Sequence, residues 1–368
     1  MSPAESVVRI ETSAPGKLVI LGEYAVLEGA PALVSALNAR SRVLVEVRDE
    51  PGVWLEAPDI GAGGVSLVWD ERGVRYVDPI EPEVRSRLNL VETVLGYFGS
   101  EVFSPETFPK GLRIVIDTHE FFSAKVGGKL GIGSSAATCV ALAGALSGLQ
   151  GESERSAQEE LDDLFQLSLR LHREVQGGVG SGVDIAASVY GGWLEFRPRG
   201  AEGDWPEVVS HSVPPDLEMM SVFTGISTST AAYVKEVFGA REHSPLEFDS
   251  LMGELREVSE AGVRAFAAAD VPTFLSLITG YFALLGRLGD LSGVAIVTPP
   301  HRDAQGVIVR RGGVYKSSGA GGGDIGVGFL RGDGSIEQLQ KDLENKGLGV
   351  LPLTAGAPGF RIKLNLSS

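Results

Sequence analysis

Residues 127–137 carry the residue types that bind phosphate, placed directly before a predicted helix. They read GGKLGIGSSAA and lead into an apolar, helix-forming run at 138–146. Glycines let the backbone approach a ligand closely, and the first turn of a helix presents unpaired N–H groups and the positive end of its dipole. The segment therefore predicts an anion-binding loop whose natural ligand is phosphate.

Two other interpretations of this loop stay open. Gly131, Gly133 and Ala136 also spell a GxGxxA dinucleotide fingerprint, which requires a buried strand before the loop and an acid about 20 residues beyond it. Residues 121–130 contain two lysines and two glycines, which favours an exposed loop over such a strand. The loop could also be a structural turn in which one of its serines only caps the helix.

Residues 13–27 place a cation and a polar cluster at the two ends of one strand. A Pro-Gly pair predicts a turn, Lys17 follows it, and the apolar run 18–21 leads to the sequence GEY at 22–24. This arrangement could deliver both ends of the strand to one site. The alternative is a surface lysine beside a buried strand.

Two further segments combine glycines with polar groups. Residues 316–326 contain five glycines within eight residues, which indicates a backbone that passes close to something rather than the interior of a helix or strand. A flexible linker is the alternative, but strand-like segments flank the run closely. In 172–188, Asp184 follows a glycine-rich loop, where it could face a cleft from a helix start or act as a helix cap.

Composition limits the classes of ligand. The chain has 368 residues, enough for two domains, and a formal net charge of −16. This charge argues against nucleic acid or an anionic membrane as a partner, so an anionic ligand must be captured locally. Cys139 is the only cysteine, so no intrachain disulfide can form. With no signal peptide and no apolar run near 18 residues, we expect a soluble cytoplasmic protein.

Hydrophobic periodicity predicts strands and helices in both halves without a strict βαβ rhythm, which favours an α+β fold. A loop or domain border is expected at 199–216, with a strand crossing it as the alternative. Strands are predicted at 7–12, 42–48, 53–68, 111–117, 293–298, 326–331 and 359–366, and helices at 88–98, 157–175, 230–239, 246–268, 271–288 and 335–345.

The glycine-bearing motifs, in their order and separations, resemble those of the GHMP small-molecule kinases, and the match runs over nearly the whole chain. Within that family, residues 22–27, 175–187 and 318–324 look most like the phosphomevalonate kinases. Mevalonate kinases usually carry histidine where Tyr24 stands and lack an acid where Asp324 stands.

The resemblance implies a two-domain α+β fold with the active site in the cleft between an N-terminal ATP-binding domain, 1–215, and a C-terminal domain, 216–368. It implies transfer of the ATP γ-phosphoryl group to 5-phosphomevalonate, giving 5-diphosphomevalonate and ADP, with Mg²⁺ as cofactor. The expected assembly is a monomer or homodimer, with small molecules as the only partners.

The same resemblance implies residue roles. Lys17 and Asp184 would be the catalytic residues, and their side chains would pair. Magnesium would be held by Ser135 and Glu174, although the spacing from Glu174 to Asp184 differs slightly from mevalonate kinases. The ATP phosphates would be bound by Lys129, Gly131, Gly133, Ser134, Ser135 and Ala136. The acceptor substrate would be bound by Lys17, Glu23, Tyr24, Ser181, Asp184, Ser227, Ser318, Gly319 and Gly321.

Several alternatives remain at this point. The hydroxyl cluster 227–230 could form a second anion site before a helix or only cap it. The activity could be that of a mevalonate kinase, which phosphorylates an alcohol. The chain could also be a GHMP-like sensor that binds ligand without turnover, or a nicotinamide-dependent oxidoreductase built on the GxGxxA match.

Overall fold

The computed structural model describes residues 8–70, 73–99, 111–123, 128–151, 155–178, 180–199, 205–225, 230–331 and 336–366. Its strands are β1 (Val8–Leu21), β2 (Ala32–Arg48), β3 (Gly52–Ala57), β4 (Ala62–Asp70), β5 (Gly73–Tyr76), β6 (Gly111–Asp117), β7 (Phe122–Ser123), β8 (Gly128–Lys129), β9 (Trp193–Arg197), β10 (Glu207–His211), β11 (Leu217–Phe223), β12 (Val314–Ser317), β13 (Ile325–Arg331), β14 (Gly349–Leu351) and β15 (Arg361–Leu366).

Its helices are α1 (Pro82–Tyr97), α2 (Ser134–Ser147), α3 (Ala157–Val175), α4 (Val183–Tyr190), α5 (Thr230–His243), α6 (Pro245–Ala267), α7 (Val271–Ser292), α8 (Pro299–Arg310) and α9 (Ile336–Glu344).

A nine-stranded sheet organises the first half of the described chain. The order β10-β9-β2-β6-β3-β4-β5 is continuous, and β1 pairs with both β2 and β15. The long strand β2 holds this sheet together, because its start pairs with β9 and its end pairs with β6, while β1 runs antiparallel along most of it. Only β3 and β6 pair in parallel among the described strands.

Helices α1, α2, α3 and α4 pack on one another and cover one side of this sheet. Helix α2 is apolar all round, with buried residues from Ala136 to Leu146, as expected of a helix enclosed in the core. It packs on β1 and β2 and is flanked by α3 and α4. Helix α3 is amphipathic and begins at a capping box formed by Ser156 and Glu159. Two hydroxyl contacts tie helices to β1, since Thr12 Oγ1 donates to Ala141 O at 2.7 Å and Ser188 Oγ donates to Pro15 O at 2.8 Å.

The second half has a four-stranded antiparallel sheet in the order β12-β13-β11-β14. Helices α6 and α7 pack on each other, and α7 and α8 pack on β12. Helix α7 is long and apolar enough to cross a membrane by length and composition, but half of its apolar stretch is buried inside the protein. Its contacts with α6 and β12 are those of a core helix.

Most predicted elements are confirmed, and several details were wrong. Residues 293–298 form no strand; instead they make a turn in which Ile296 N bonds to Val294 O at 2.7 Å. The Pro15-Gly16 pair makes no chain reversal, because β1 continues through it with an irregular register between Pro15 and Lys17. The first part of β2 was not predicted, and neither were β7, β8, β9, β11, β14 and α8.

The strand β15 joins the first sheet although it lies in the range 216–368 expected to form the C-terminal domain. It pairs with β1 from Val8 opposite Leu366 to Ser13 opposite Arg361. The buried Arg40 holds the chain before β15, since its guanidinium donates to Pro358 O at 2.7 Å and Gly359 O at 2.6 Å. The second sheet begins with β11 at Leu217, but one apolar core runs through both halves.

Alanine substitutions of Gly191 and Gly192 test how closely residues 357–359, which precede β15, pack against the start of β9. Gly191 has φ of 71°, and an added Cβ would lie 2.0 Å from Gly359 N, whereas Gly192 has φ of 70° with no atom within 4 Å of such a Cβ. Gly192→Ala should cost about 1–2 kcal/mol for its left-handed backbone alone. Gly191→Ala should cost roughly 1–3 kcal/mol more, because the backbone of residues 358–359 must move.

Urea unfolding of the two variants and the unsubstituted protein measures this difference. Equal losses of stability for Gly191→Ala and Gly192→Ala would contradict close packing of the segment before β15.

Candidate active site

A cavity of about 450 Å³ lies where the two halves meet. Three charged residues line it, Lys17, Glu23 and Asp184, together with Tyr24, Ser181 and Gly319. The remaining wall is mostly apolar and is lined by Val19, Val26, Leu27, Val175, Val183, Val234 and Ala320. Six of the residues expected to bind the substrate therefore share one cavity. A larger groove of about 770 Å³, between α1, α3 and β15, contains none of them.

The turn after β1 presents Glu23 and Tyr24 to this cavity. Gly22 and Tyr24 both have positive φ, of 103° and 62°, and Tyr24 is buried. The second half holds the strained turn, because Tyr281 Oη donates to Glu23 O at 2.7 Å and Tyr24 Oη donates to Ala320 O at 2.6 Å. Burial, and secondarily the charge of Glu23, raise the pKa of Tyr24 well above its usual value, so its hydroxyl stays protonated.

A buried ion pair lies behind the turn. Lys316 of β12 is fully buried and its ammonium contacts Oε1 of Glu23, whose side chain is also buried. Burial lowers the pKa of Lys316, Glu23 opposes this change, and Lys17 lowers the pKa further. The charge of Glu23, a residue of the cavity wall, is therefore balanced by a buried ammonium.

Lys17 and Asp184 line the same cavity from two different elements. Lys17 follows the irregularity in β1, and its backbone N–H donates to Ile132 O at 2.8 Å, which joins the strand to the glycine loop before α2. Asp184 is the second residue of α4, after Gly182 at φ of 90°, so it does not occupy the cap position. Both side chains are half-buried, and they share the cavity without forming an ion pair.

The glycine loop before α2 lies against Lys17. Gly131 and Gly133 have φ of 70° and 83°, and a Cβ on Gly133 would lie 3.2 Å from Lys17 Cγ. Gly133 is the cap residue and Ser134 the first helical residue, so neither serine caps the helix. The first hydrogen bond of the helix runs from Ala137 N to Gly133 O at 3.2 Å. The N–H groups that precede Ala137 in the first turn have no acceptor within the helix, so they can bind a ligand.

Two polar residues of the loop region, Ser135 and Lys129, are exposed, and each lies near a different polar partner. Ser135 is exposed at the start of α2, and its Oγ lies 3.2 Å from Nε2 of the buried His172. Lys129 is exposed in β8 and interacts electrostatically with Asp324, whose carboxylate lies against Gly131.

The structure does not bring Glu174 to Ser135. Glu174 is exposed and lies two residues beyond His172 on α3, so helix geometry turns it to the opposite face. Within the described ranges, no group of three or more His, Cys, Asp or Glu side chains could hold a metal ion. Mg²⁺ bound with a nucleotide takes much of its coordination from phosphates and water, so the loop fits a metal that arrives with ATP.

The loop 318–324 closes the cavity from the second half. Ser318 Oγ donates to Val19 O at 2.9 Å, so this serine fixes the loop to β1 and is buried beside the cavity rather than lining it. Gly319 has open space around it, whereas a Cβ on Gly321 would lie 2.4 Å from Ile296 O. Gly321 therefore serves close packing beneath the loop.

The loop between α3 and α4 holds Ser181 at the cavity. The guanidinium of Arg173 fixes this loop, since it donates to Gly180 O and Ser181 O, each at 3.3 Å. Ser227 lies outside the described residues, and α5 begins at Thr230.

Sequence reasoning missed three buried groups that support the site. Lys316, Tyr281 and His301 were assigned no role, and each contacts the turn at 22–24 or the loop 318–324. Lys316 is the first residue of the glycine-rich segment 316–326. Its position between a strand-like segment and a glycine run is the one feature of the sequence that could have indicated a role for it. Tyr281 lies in the apolar run of α7, where nothing distinguishes it from a core residue, and His301 lies in a mixed polar and apolar segment that was not predicted to be a helix.

His301 contacts the backbone of the loop 318–324, and its burial predicts that the stability of the protein depends on pH. It is fully buried; its Nε2 faces Gly323 O at 3.1 Å and its Nδ1 faces Tyr315 Oη at 2.8 Å. A carbonyl only accepts, so Nε2 carries the proton and Nδ1 accepts from the tyrosine. Burial lowers the pKa of His301 from 6.5 to about 4. The neutral ring is favoured in the folded state, so stability should fall as pH drops from about 6.5 toward 4, by roughly 3 kcal/mol.

Urea unfolding between pH 4 and 7.5 measures this slope. His301→Gln, which does not titrate, should be less stable at neutral pH but should lose this part of the pH dependence. An unchanged slope in the variant would contradict a neutral buried His301.

Comparison with known proteins identifies related sequences. Residues 89–192 match the family model for the GHMP kinases N terminal domain. The chain is 29% identical to the phosphomevalonate kinase of Streptomyces sp. (strain CL190), over 94% of this chain and 97% of that protein. It is 25% identical to the mevalonate kinase of Thermococcus onnurineus (strain NA1), over 95% of each.

Solved structures share the fold. The Lin0012 protein from Listeria innocua superimposes with a TM-score of 0.80 at 25% identity, over 97% of this chain and 99% of that one. The phosphomevalonate kinase of Streptococcus pneumoniae, solved with phosphomevalonate and AMPPNP, has a TM-score of 0.75 at 19% identity, over 94% and 99%. The expected α+β fold class is thereby confirmed: the chain has the fold of the GHMP kinases, and residues 89–192 match their N-terminal domain.

Proposed function

We propose that this protein transfers the γ-phosphoryl group of ATP to 5-phosphomevalonate, giving 5-diphosphomevalonate and ADP. The observation that carries this proposal is the position of Lys17, which lines the cavity with Asp184 and lies against Gly133 of the loop before α2. ATP and 5-phosphomevalonate are both anions and repel each other. A cation between the acceptor cavity and the phosphate-binding loop would offset that repulsion. The phosphomevalonate kinase of Streptomyces, similar over nearly its full length, supports this choice of substrate.

The chemistry suits these residues. Phosphoryl transfer depends on positioning and charge neutralisation, because negative charge spreads over the equatorial oxygens of the transition state. The acceptor phosphate is largely ionised near neutral pH, since its second pKa is about 6, so a strong general base is unnecessary. In the proposed reaction Lys17 brings the two anions together, and Asp184 orients Lys17 and the acceptor.

The ATP phosphates would bind at Gly131, Gly133, Ser134, Ser135 and Ala136, with Lys129 at the edge of the loop. Bound Mg²⁺ would neutralise phosphate charge, and Ser135, exposed at the start of α2, would hold it. Glu174 would reach such a metal only after a rearrangement of α3 or the following loop, so its proposed role is the weaker one. Glu23, Tyr24, Ser181 and Gly319 would contact the acceptor, while Ser318 and Gly321 would hold their loop in place.

Mevalonate is the second candidate acceptor. The mevalonate kinase of Thermococcus onnurineus is also similar over nearly the whole chain. Mevalonate offers an alcohol, and Asp184, half-buried in the cavity, would then have reason to act as a general base.

A coupled assay of ADP release, with both acids offered separately at saturating ATP and Mg²⁺, tests the substrate. We expect kcat/KM for 5-phosphomevalonate to exceed that for mevalonate by about 10-fold or more, because each charge-assisted hydrogen bond to the additional phosphate contributes about 1.5–3 kcal/mol. A preference for mevalonate would overturn the proposal. ATP binding without ADP release would indicate a sensor, and binding of NAD in place of MgATP would indicate an oxidoreductase.

Substitution of Lys17 and Asp184 tests the mechanism. Lys17→Met should lower kcat about 100-fold or more, the usual result of removing one preorganised electrostatic contact. Asp184→Asn should affect turnover of mevalonate more than that of 5-phosphomevalonate, because only the alcohol needs a base. The exposed Lys363→Met and Asp290→Asn serve as charge-matched controls and should leave both rates unchanged. Rates near that of the unsubstituted protein for both site variants would remove these residues from the mechanism.

A further inference from the structure

A buried histidine lies directly behind the loop that precedes α2. His172 belongs to the last turn of α3, and its Nε2 lies 3.2 Å from Oγ of Ser135 at the start of α2. Ser135 is exposed, so a ligand bound at the loop can reach its hydroxyl. His172 is only 3% exposed, so any effect that it has on such a ligand passes through the serine.

The packing of α2 against α3 holds the imidazole in this position. One turn further along α2, Cys139 Sγ donates to Ser168 O at 3.7 Å, and Ser168 lies one turn before His172 on α3. Residues four apart share a face of a helix, so the two contacts belong to one antiparallel interface between the helices. His172 is therefore fixed by the core and does not depend on a surface loop.

The contact between His172 and Ser135 determines what the serine offers to a ligand. A serine hydroxyl has one proton to donate and two lone pairs, which accept a proton or bind a cation. If the hydroxyl donates its proton to Nε2, with the ring proton of His172 on Nδ1, both lone pairs remain for a cation. If Nε2 donates instead, the serine proton is left for a phosphate oxygen.

A metal that accompanies ATP favours the first arrangement. Glu174 is turned to the opposite face of α3, so Ser135 is the one of the two expected metal ligands that lies at the loop. An uncharged hydroxyl attracts a cation weakly, and its contribution depends on where its lone pairs point. Groups that orient a metal ligand from behind contribute about 10- to 100-fold to metal affinity.

We propose that His172 is a positioning residue, which accepts the proton of the Ser135 hydroxyl and directs the lone pairs of Oγ toward Mg²⁺ bound with the ATP phosphates. The inference rests on the proposed function and adds the residue that orients its metal ligand. His172 then affects nucleotide binding only when the metal is present, and only through Ser135.

Calorimetry with AMPPNP, an ATP analogue that resists transfer of its terminal phosphoryl group, measures this effect without turnover. The dissociation constant in EDTA divided by that in Mg²⁺ gives the contribution of the metal. His172→Leu should lower this ratio about 10-fold or more, with little change in EDTA. His172→Asn, too short to reach Oγ, should act in the same way. His172→Gln should keep most of the ratio, because its Oε1 can accept where Nε2 does.

A double variant tests whether the histidine acts through the serine. Ser135→Ala should lower the ratio at least as much as His172→Leu, and the combined variant should lower it no further, since the shared interaction is already lost. The substitutions of His172 should not prevent folding, because the exposed hydroxyl of Ser135 can bond to water instead. His211→Leu is the control and should leave the ratio unchanged, since it removes a partly buried imidazole that packs on Phe266, outside the site.

The outcomes separate this role from the proposed function. Equal losses of affinity in Mg²⁺ and in EDTA, a low ratio in His172→Gln, additive losses in the double variant, or an unsubstituted protein whose affinity ignores the metal would each overturn the role of His172. A preference for mevalonate in the coupled assay would overturn the proposed substrate and leave the role of His172 standing. A protein that binds no AMPPNP in either condition would overturn both.

Discussion

The contact between the turn at 22–24 and the second half is the constraint on which the cavity depends. Glu23 and Tyr24 come from the first sheet, yet the groups that hold them, Lys316, Tyr281 and the carbonyl of Ala320, come from the second half. The turn has backbone angles that only such contacts maintain, because Tyr24 lies at φ of 62°. The cavity therefore exists only when both halves are folded and packed together.

An acidic protein must build a local environment for anionic ligands. The net charge of −16 repels them at long range, and the cavity itself contains two carboxylates and one lysine. The positive contribution comes from Lys17, from Lys316 behind Glu23 and from the N-terminal end of α2. These groups act over a few ångströms, which keeps them effective where solvent and salt screen the rest of the surface.

The sequence predicted the parts of the site that depend on local backbone geometry. The glycines at 131 and 133 indicated a loop with positive φ before a helix, and α2 begins at Ser134. The same reasoning identified Lys17 and Asp184, because each stands beside a glycine turn at the end of an element. It failed for Tyr281 and His301, because the residues around each of them do not indicate its buried partner, which is distant in sequence. It also placed Glu174 at the metal from a motif, although the helical phase relative to His172 turns that carboxylate away.

The pairing of β1 with β15 has a consequence for how the protein is made. Val8 and Leu366 are opposite each other, so the first strand gains its outer neighbour only after nearly all the intervening residues have been synthesised. Until then β1 has a free edge, which is a site where unfinished chains can pair wrongly. The first sheet, and with it the cavity beside Lys17, is therefore completed only once residues 361–366 have been synthesised.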